Sequence, residues 1–189
     1  MLKNARVPIL GLAAWSGTGK TTLLVKILAV LRRQGYRVAV VKHAHHSFDI
    51  DKPGKDSYEL RKAGAVQTLI GSRHRWALVA EKPDEQEPRL DDLLRHLDQE
   101  ALDFILVEGF KSERYPKIEL HRPALGHPLL HPGDDTIVAV ATDALLPVQT
   151  SLPLLDLNRP QQIADFIAGY LAAGSRGGAL SETAAVAPR

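Results

Sequence analysis

Residues 14–21 read AWSGTGKT and sit between an apolar run, Val7 to Ala14, and a stretch of helical periodicity from Lys20 to Gln34. No other feature of the chain restricts its fold as much. A glycine-rich turn that joins a buried strand to a helix brings successive backbone N–H groups and the helix N-terminus around one anion. The lysine adds a point charge, and the hydroxyl after it is the kind of group that ligates Mg²⁺ in such loops. Gly17 and Gly19 suit positions of positive φ or close approach. The usual pattern, G-x-x-x-x-G-K-[ST], begins with glycine where this chain has Ala14. A methyl at the strand end is tolerated if φ there stays negative. Ser16, Gly17, Thr18, Gly19, Lys20, Thr21 and Thr22 are therefore the candidate phosphate cradle, with Lys20 also the first candidate catalytic residue.

The rest of the chain is expected to build around this strand–loop–helix. Leu23, Leu24, Ile27, Leu28, Val30 and Leu31 give the helix one broad apolar face, and Gly35 stands where a C-terminal glycine is expected, after Arg32 and Arg33. YRVAVVK, residues 36–42, is a second strand, completing a βαβ unit. Further strands are expected at 66–70, 76–80, 104–107, 117–121 and 136–142. Further helices are expected at 57–64, 90–97 and 163–171. The segments 82–89 and 122–135, which carry charge, proline or glycine, are expected to be loops. The fold class is α/β: a P-loop NTPase-like, mostly parallel sheet flanked by helices, with an antiparallel extension. A length of 189 residues suits a single nucleotide-binding domain over 1–172. The small and polar stretch 173–189 is expected to be a disordered tail. A net charge of +2 gives no strong bias toward nucleic acid, and the absence of cysteine excludes disulfides and thiolate metal sites. No apolar run approaches the roughly 20 residues that span a bilayer. The N-terminus lacks the pattern of a signal peptide, so a cytoplasmic location and no membrane partner are expected.

A phosphate loop needs a carboxylate at a neighbouring strand end to hold Mg²⁺ directly or through water. FILVEGF supplies Glu108, with Gly109 clearing space beside it. Asp49 and Asp51, in the loop after the second strand, occupy the place of a switch-like segment and are the other candidate catalytic acids. Thr21 and Glu108 are the candidate Mg²⁺ ligands. Lys42 ends the second strand, and His43, His45 and His46 follow it. This cluster can be read as an anion or phosphate contact, as a metal site, or as structural. Lys52, Lys55 and Lys111 add positive charge to neighbouring loops. Asp143, after VAVAT, is placed where a carboxylate can accept from guanine N1–H and its exocyclic amine, or simply form a turn.

AAWSGTGKTTLL, VKHAHHSFDIDKPGKDS, and ILVEGFK followed by KIEL together resemble the MobB family of molybdopterin-guanine dinucleotide biosynthesis adaptor proteins. The resemblance runs from about Val7 to Leu171. It implies a homodimeric, GTP-binding protein with weak GTPase activity. It also implies that such a protein assists a MobA-type guanylyltransferase, which attaches GMP to molybdopterin. Molybdopterin or its guanine dinucleotide form is a further possible ligand. By the same resemblance Gly17, Gly19, Lys20, Thr21 and Thr22 hold phosphate and Mg²⁺. The second motif falls on Lys42, His43, His46, Asp49 and Asp51, and the Walker-B-like segment on Glu108 and Gly109. Replacement of the first Walker glycine is common in that family. Arg73, Arg75 and Arg114 are no convincing arginine finger, which agrees with slow turnover. A small-molecule kinase, a metal-insertion GTPase using HAHH and a scaffold with a vestigial loop are the competing readings.

Overall fold

The computed structural model describes residues 2–44, 48–82 and 86–178. Their contacts sort the chain into two compact units, Met1–His43 with Arg89–Arg189, and Ala44–Pro88.

The larger unit is a six-stranded, wholly parallel sheet. Strand β1 (Ile9–Ala13) enters the glycine loop, helix α1 (Lys20–Arg33) leaves it, and β2 (Val38–Lys42) follows. The later strands are β5 (Phe104–Glu108), β6 (Lys117–His121), β7 (Ile137–Thr142) and β8 (Leu154–Asp156), after β3 (Gln67–Gly71) and β4 (Trp76–Ala80) of the smaller unit. The order across the sheet is β2-β5-β1-β6-β7-β8. Strand β5 thus inserts between β1 and β2, and Glu108 lies opposite both Leu12 and Lys42 in register. That pairing brings the Lys42 strand end and the candidate Mg²⁺ acid to the edge where the glycine loop begins.

Strand alternation divides the core in two. Leu10, Leu12, Phe104 and Leu106 face the layer of α1 and α4 (Pro160–Gly178), packing on Leu24, Ile27, Leu31, Ile163 and Ile167. Ile9, Ile105 and Val107 point the other way, onto Leu90 and Leu94. Leu90 opens the short helix α3 (Leu90–Leu93), which tightens into a 3₁₀ turn over Leu94–His96 within the span expected to be one helix. Both strands are buried on two faces, which is why they read as continuous apolar runs. Helix α4 continues to Gly178, into the stretch from Ala173 read as tail; residues 179–189 lie outside the described residues. Strand β8 was not expected, because Pro153 and Pro160 bracket it and make its three residues look like loop.

In the smaller unit, α2 (Asp56–Lys62) is followed by an antiparallel hairpin of β3 (Gln67–Gly71) and β4 (Trp76–Ala80). This is the antiparallel element expected from the two runs flanking GSRHR. No helix among the described residues is long and apolar enough to cross a membrane.

Candidate functional site

The glycine loop has the backbone that its sequence requires. Gly17 and Gly19 have φ of 80° and 90°, and an added Cβ would meet nothing within 4 Å at either. Conformation, not crowding, therefore demands glycine there. Ala14 is fully buried in the core and is not among the positive-φ residues, so its methyl is packing rather than an obstruction. Thr18 is buried and its hydroxyl donates to the Trp15 carbonyl at 2.8 Å, bracing the loop from within. Ser16, Gly17, Gly19, Thr21 and Thr22 remain exposed around it, and Lys20 is half-buried.

Helix α1 begins at Lys20 with no side-chain cap and no acidic residue in its first turn. Its first N–H groups thus face the loop without an internal anion, and the helix dipole adds positive potential there. By contrast, α2 carries Asp56 and Glu59 in its first turn.

Thr21 donates its hydroxyl to Glu108 Oε1 at 2.7 Å, and Lys42 Nζ stands 3.8 Å from the same oxygen. Glu108 is 6% exposed, so this carboxylate is buried at the edge of the loop and is matched by one cation and one hydroxyl. The two oxygens are hard donors of the type Mg²⁺ takes. The chain places them together from positions 87 residues apart. His43 follows directly; its amide donates to the Glu108 carbonyl at 2.8 Å, and its ring stacks on Phe110 with centroids 4.7 Å apart. Gly109 has φ of 100°, and a Cβ there would lie 2.5 Å from His43 Cβ, so glycine is required twice over. His45 and His46 lie outside the described residues, and the reading of the histidine cluster stays where the sequence left it.

Asp49 and Asp51 belong to the smaller unit, and both bond Arg61 Nη2 at 2.7 Å, while Glu81 takes Nη1 at 3.1 Å. The Arg61 hydrogen bond holds the Asp51 carboxyl below its ordinary value, against the opposing effect of burial. Asp143, the candidate base reader, pairs with Arg122, whose Nε donates to the Thr18 carbonyl at 3.0 Å. Arg122 was missed by the sequence reading, although it stands one residue past a strand end, the same placement that singled out Glu108. It lines a cavity of about 310 Å³ with Gly17, Thr18, Thr22, Lys26 and Asn158, next to the phosphate loop; Asp143 is not in the lining.

Comparison with known proteins agrees with this geometry. Residues 9–143 match the family described as MobB, molybdopterin guanine dinucleotide synthesis protein B. The chain is 49% identical to the molybdopterin-guanine dinucleotide biosynthesis adapter protein of Escherichia coli, over 90% of this chain and 97% of that one. It is 44% identical to the protein of the same name from Haemophilus influenzae, over 89% and 92%. Among solved structures, a MobB protein homolog from Bacillus stearothermophilus superposes with a TM-score of 0.63 at 27% identity, covering 87% of this chain and 98% of that one. A glycine loop on a parallel sheet, an acid from the adjacent strand bonded to the loop threonine, and relatives matched along nearly their whole length converge on one conclusion: the chain belongs to the MobB family.

Proposed function

We propose that this protein binds GTP with Mg²⁺ at the glycine loop, hydrolyses it slowly, and serves as an adapter to the guanylyltransferase that attaches GMP to molybdopterin. The observation that carries the nucleotide reading is the bond from Thr21 to Glu108 at the foot of an uncapped helix. The adapter role rests on the names of the Escherichia coli and Haemophilus influenzae relatives.

In this reading the loop amides from Gly17 to Thr21 and the α1 N-terminus enclose the phosphate chain, and Lys20 neutralises charge between its outer phosphates. Thr21 and Glu108 would hold Mg²⁺, which supplies charge neutralisation to the β- and γ-phosphates. The nucleoside would enter the cavity beside the loop, where the Asn158 amide, which can both donate and accept, is the lining group placed past β8 and away from the phosphate loop. Arg122 is committed to Asp143 and to the Thr18 carbonyl, so it is not free to serve as an arginine finger. Slow turnover follows, since such a finger is worth about 10³-fold or more.

A homodimer is part of the same reading. On one face of the β3–β4 hairpin, Leu69 pairs with Leu78 and Gly71 with Trp76, and Leu69 and Trp76 are each 68% exposed. A two-stranded ribbon with an open apolar face is marginal in water, and a second copy of the same hairpin would cover it.

The test is calorimetric titration of Mg²⁺–GTP. Wild type should bind, and Lys20→Ala should lose at least about tenfold in affinity through the lost charge-assisted bonds. Unchanged affinity in Lys20→Ala would remove the assignment.

A further inference from the structure

We propose that Lys111 is a second phosphate-binding lysine of this site, its ammonium steadied by the Trp15 ring to receive the terminal phosphate of the bound nucleoside triphosphate. The inference rests on the nucleotide reading above and adds to it a group outside the glycine loop.

The backbone after Glu108 is bent to deliver this side chain. Gly109 and Phe110 both have positive φ, 100° and 51°, and Phe110 is the one non-glycine residue with positive φ among the described residues. An aromatic residue in the left-handed region is strained, and such strain persists where surrounding packing over-determines it. The Phe110 ring is 5% exposed in the second core cluster and stacked on His43, which supplies that packing. With the chain so turned, Lys111 Nζ comes to 5.2 Å from the centre of the Trp15 ring, within cation–π range. Trp15 belongs to the glycine loop and is itself fixed: Nε1 donates to the Pro128 carbonyl at 2.8 Å, and its ring stacks on His127 at 5.5 Å.

The charge at this point is unbalanced. Among the described residues no carboxylate is ion-paired with Lys20 or Lys111. Burial, then the nearby Lys20 charge, pushes the Lys111 ammonium below its ordinary value. Two cations that repel each other, beside an uncapped helix N-terminus, are stabilised together when an anion enters between them. In such a loop the backbone amides enclose the inner phosphates, and Lys20 reaches the outer pair from the loop side. Lys111 instead follows the acid that would hold Mg²⁺ at the outer ones, so the terminal phosphate is its partner. It would supply part of the charge that a missing arginine finger leaves unmet.

The experiment measures affinities of Mg²⁺–GTPγS and Mg²⁺–GDP for wild type, Lys111→Met and Lys111→Arg, with thermal melts to confirm folding. Loss of one charge-assisted contact predicts that Lys111→Met weakens GTPγS at least about tenfold, while GDP changes less than about threefold. Lys111→Arg should stay within about threefold of wild type for both, because the charge is kept. Equal losses for both nucleotides, or none, in a variant that folds would overturn the assignment while leaving nucleotide binding intact. A wild-type protein that binds neither nucleotide would overturn the nucleotide reading itself, and this inference with it.

Discussion

Glu108 accepts from Thr21 and lies within ion-pair distance of Lys42, so the loop, the adjacent strand and the strand beyond it meet on one buried carboxylate. If that carboxylate serves Mg²⁺, then Glu108→Gln should reduce the gain in GTP affinity that Mg²⁺ provides by about tenfold or more, with binding in EDTA little changed. Titrations with and without the metal check this. Gly109 gives a purely structural prediction. Gly109→Ala combines a positive φ with a 2.5 Å approach to His43 Cβ and should cost about 2–4 kcal/mol in urea unfolding. Gly35→Ala, at φ of 90° with open space around it, should cost only about 1 kcal/mol. The loop and Glu108 were legible in the sequence because each is announced by its own neighbours: glycines before a helix, an acid closing an apolar strand. Trp15 and Arg122 were not singled out, and Lys111 was read only as added positive charge in a neighbouring loop. Arg122 reaches Thr18 across 104 residues and Trp15 reaches Pro128 across 113, distances over which no local pattern carries information.

Elements buried on two faces were the most readable. β1 and β5 appear where their apolar runs predicted and β6 at the expected 117–121, whereas β8 hid behind prolines and α3 gave way to a 3₁₀ turn after one turn of helix. The order β2-β5-β1 was not readable, since nothing local states that the fifth strand inserts between the first two. In the smaller unit, Arg61 ties the segment carrying Asp49 and Asp51 to α2 and to Glu81 after β4, with its side chain only 10% exposed. The Asp51 carboxyl titrates below its unfolded value of 3.8, so its contribution to stability is present above that pH and is lost as pH falls through the depressed folded value. Limited proteolysis should therefore show the 44–88 unit opening only in strongly acidic solution. Arg61→Met should make the same segment protease-sensitive at neutral pH, by leaving Asp51, whose side chain is 7% exposed, as an unpaired buried charge. Equal resistance of the variant and wild type at neutral pH would show that Arg61 does not hold this unit together.

At the level of the molecule, the loop edge of the parallel sheet is where the proposed nucleotide would bind, and the hairpin carries an exposed apolar face with Leu69 and Trp76 on it. Trp76→Glu, on that face, should shift the sedimenting species from dimer to monomer if a second copy covers it. The fold class was legible because one motif dictates the first strand–loop–helix–strand and most of the remaining apolar runs supply further strands to the same sheet. Division into two units was not, since the polar stretch after Lys42 and the charged loop 82–89 mark connections without stating which elements pack together. The glycine loop is proposed to serve guanine nucleotides. A thermal-shift panel of GTP, GDP, ATP and ADP, each with and without Mg²⁺, tests it most directly, because a ligand that binds the folded state raises the melting temperature, more so the further its concentration exceeds Kd, with a logarithmic dependence. Stabilisation by GTP and GDP, greatest for GTP with Mg²⁺, and little or none by ATP and ADP is the predicted result. A larger shift with ATP, or no shift with any nucleotide, would contradict it.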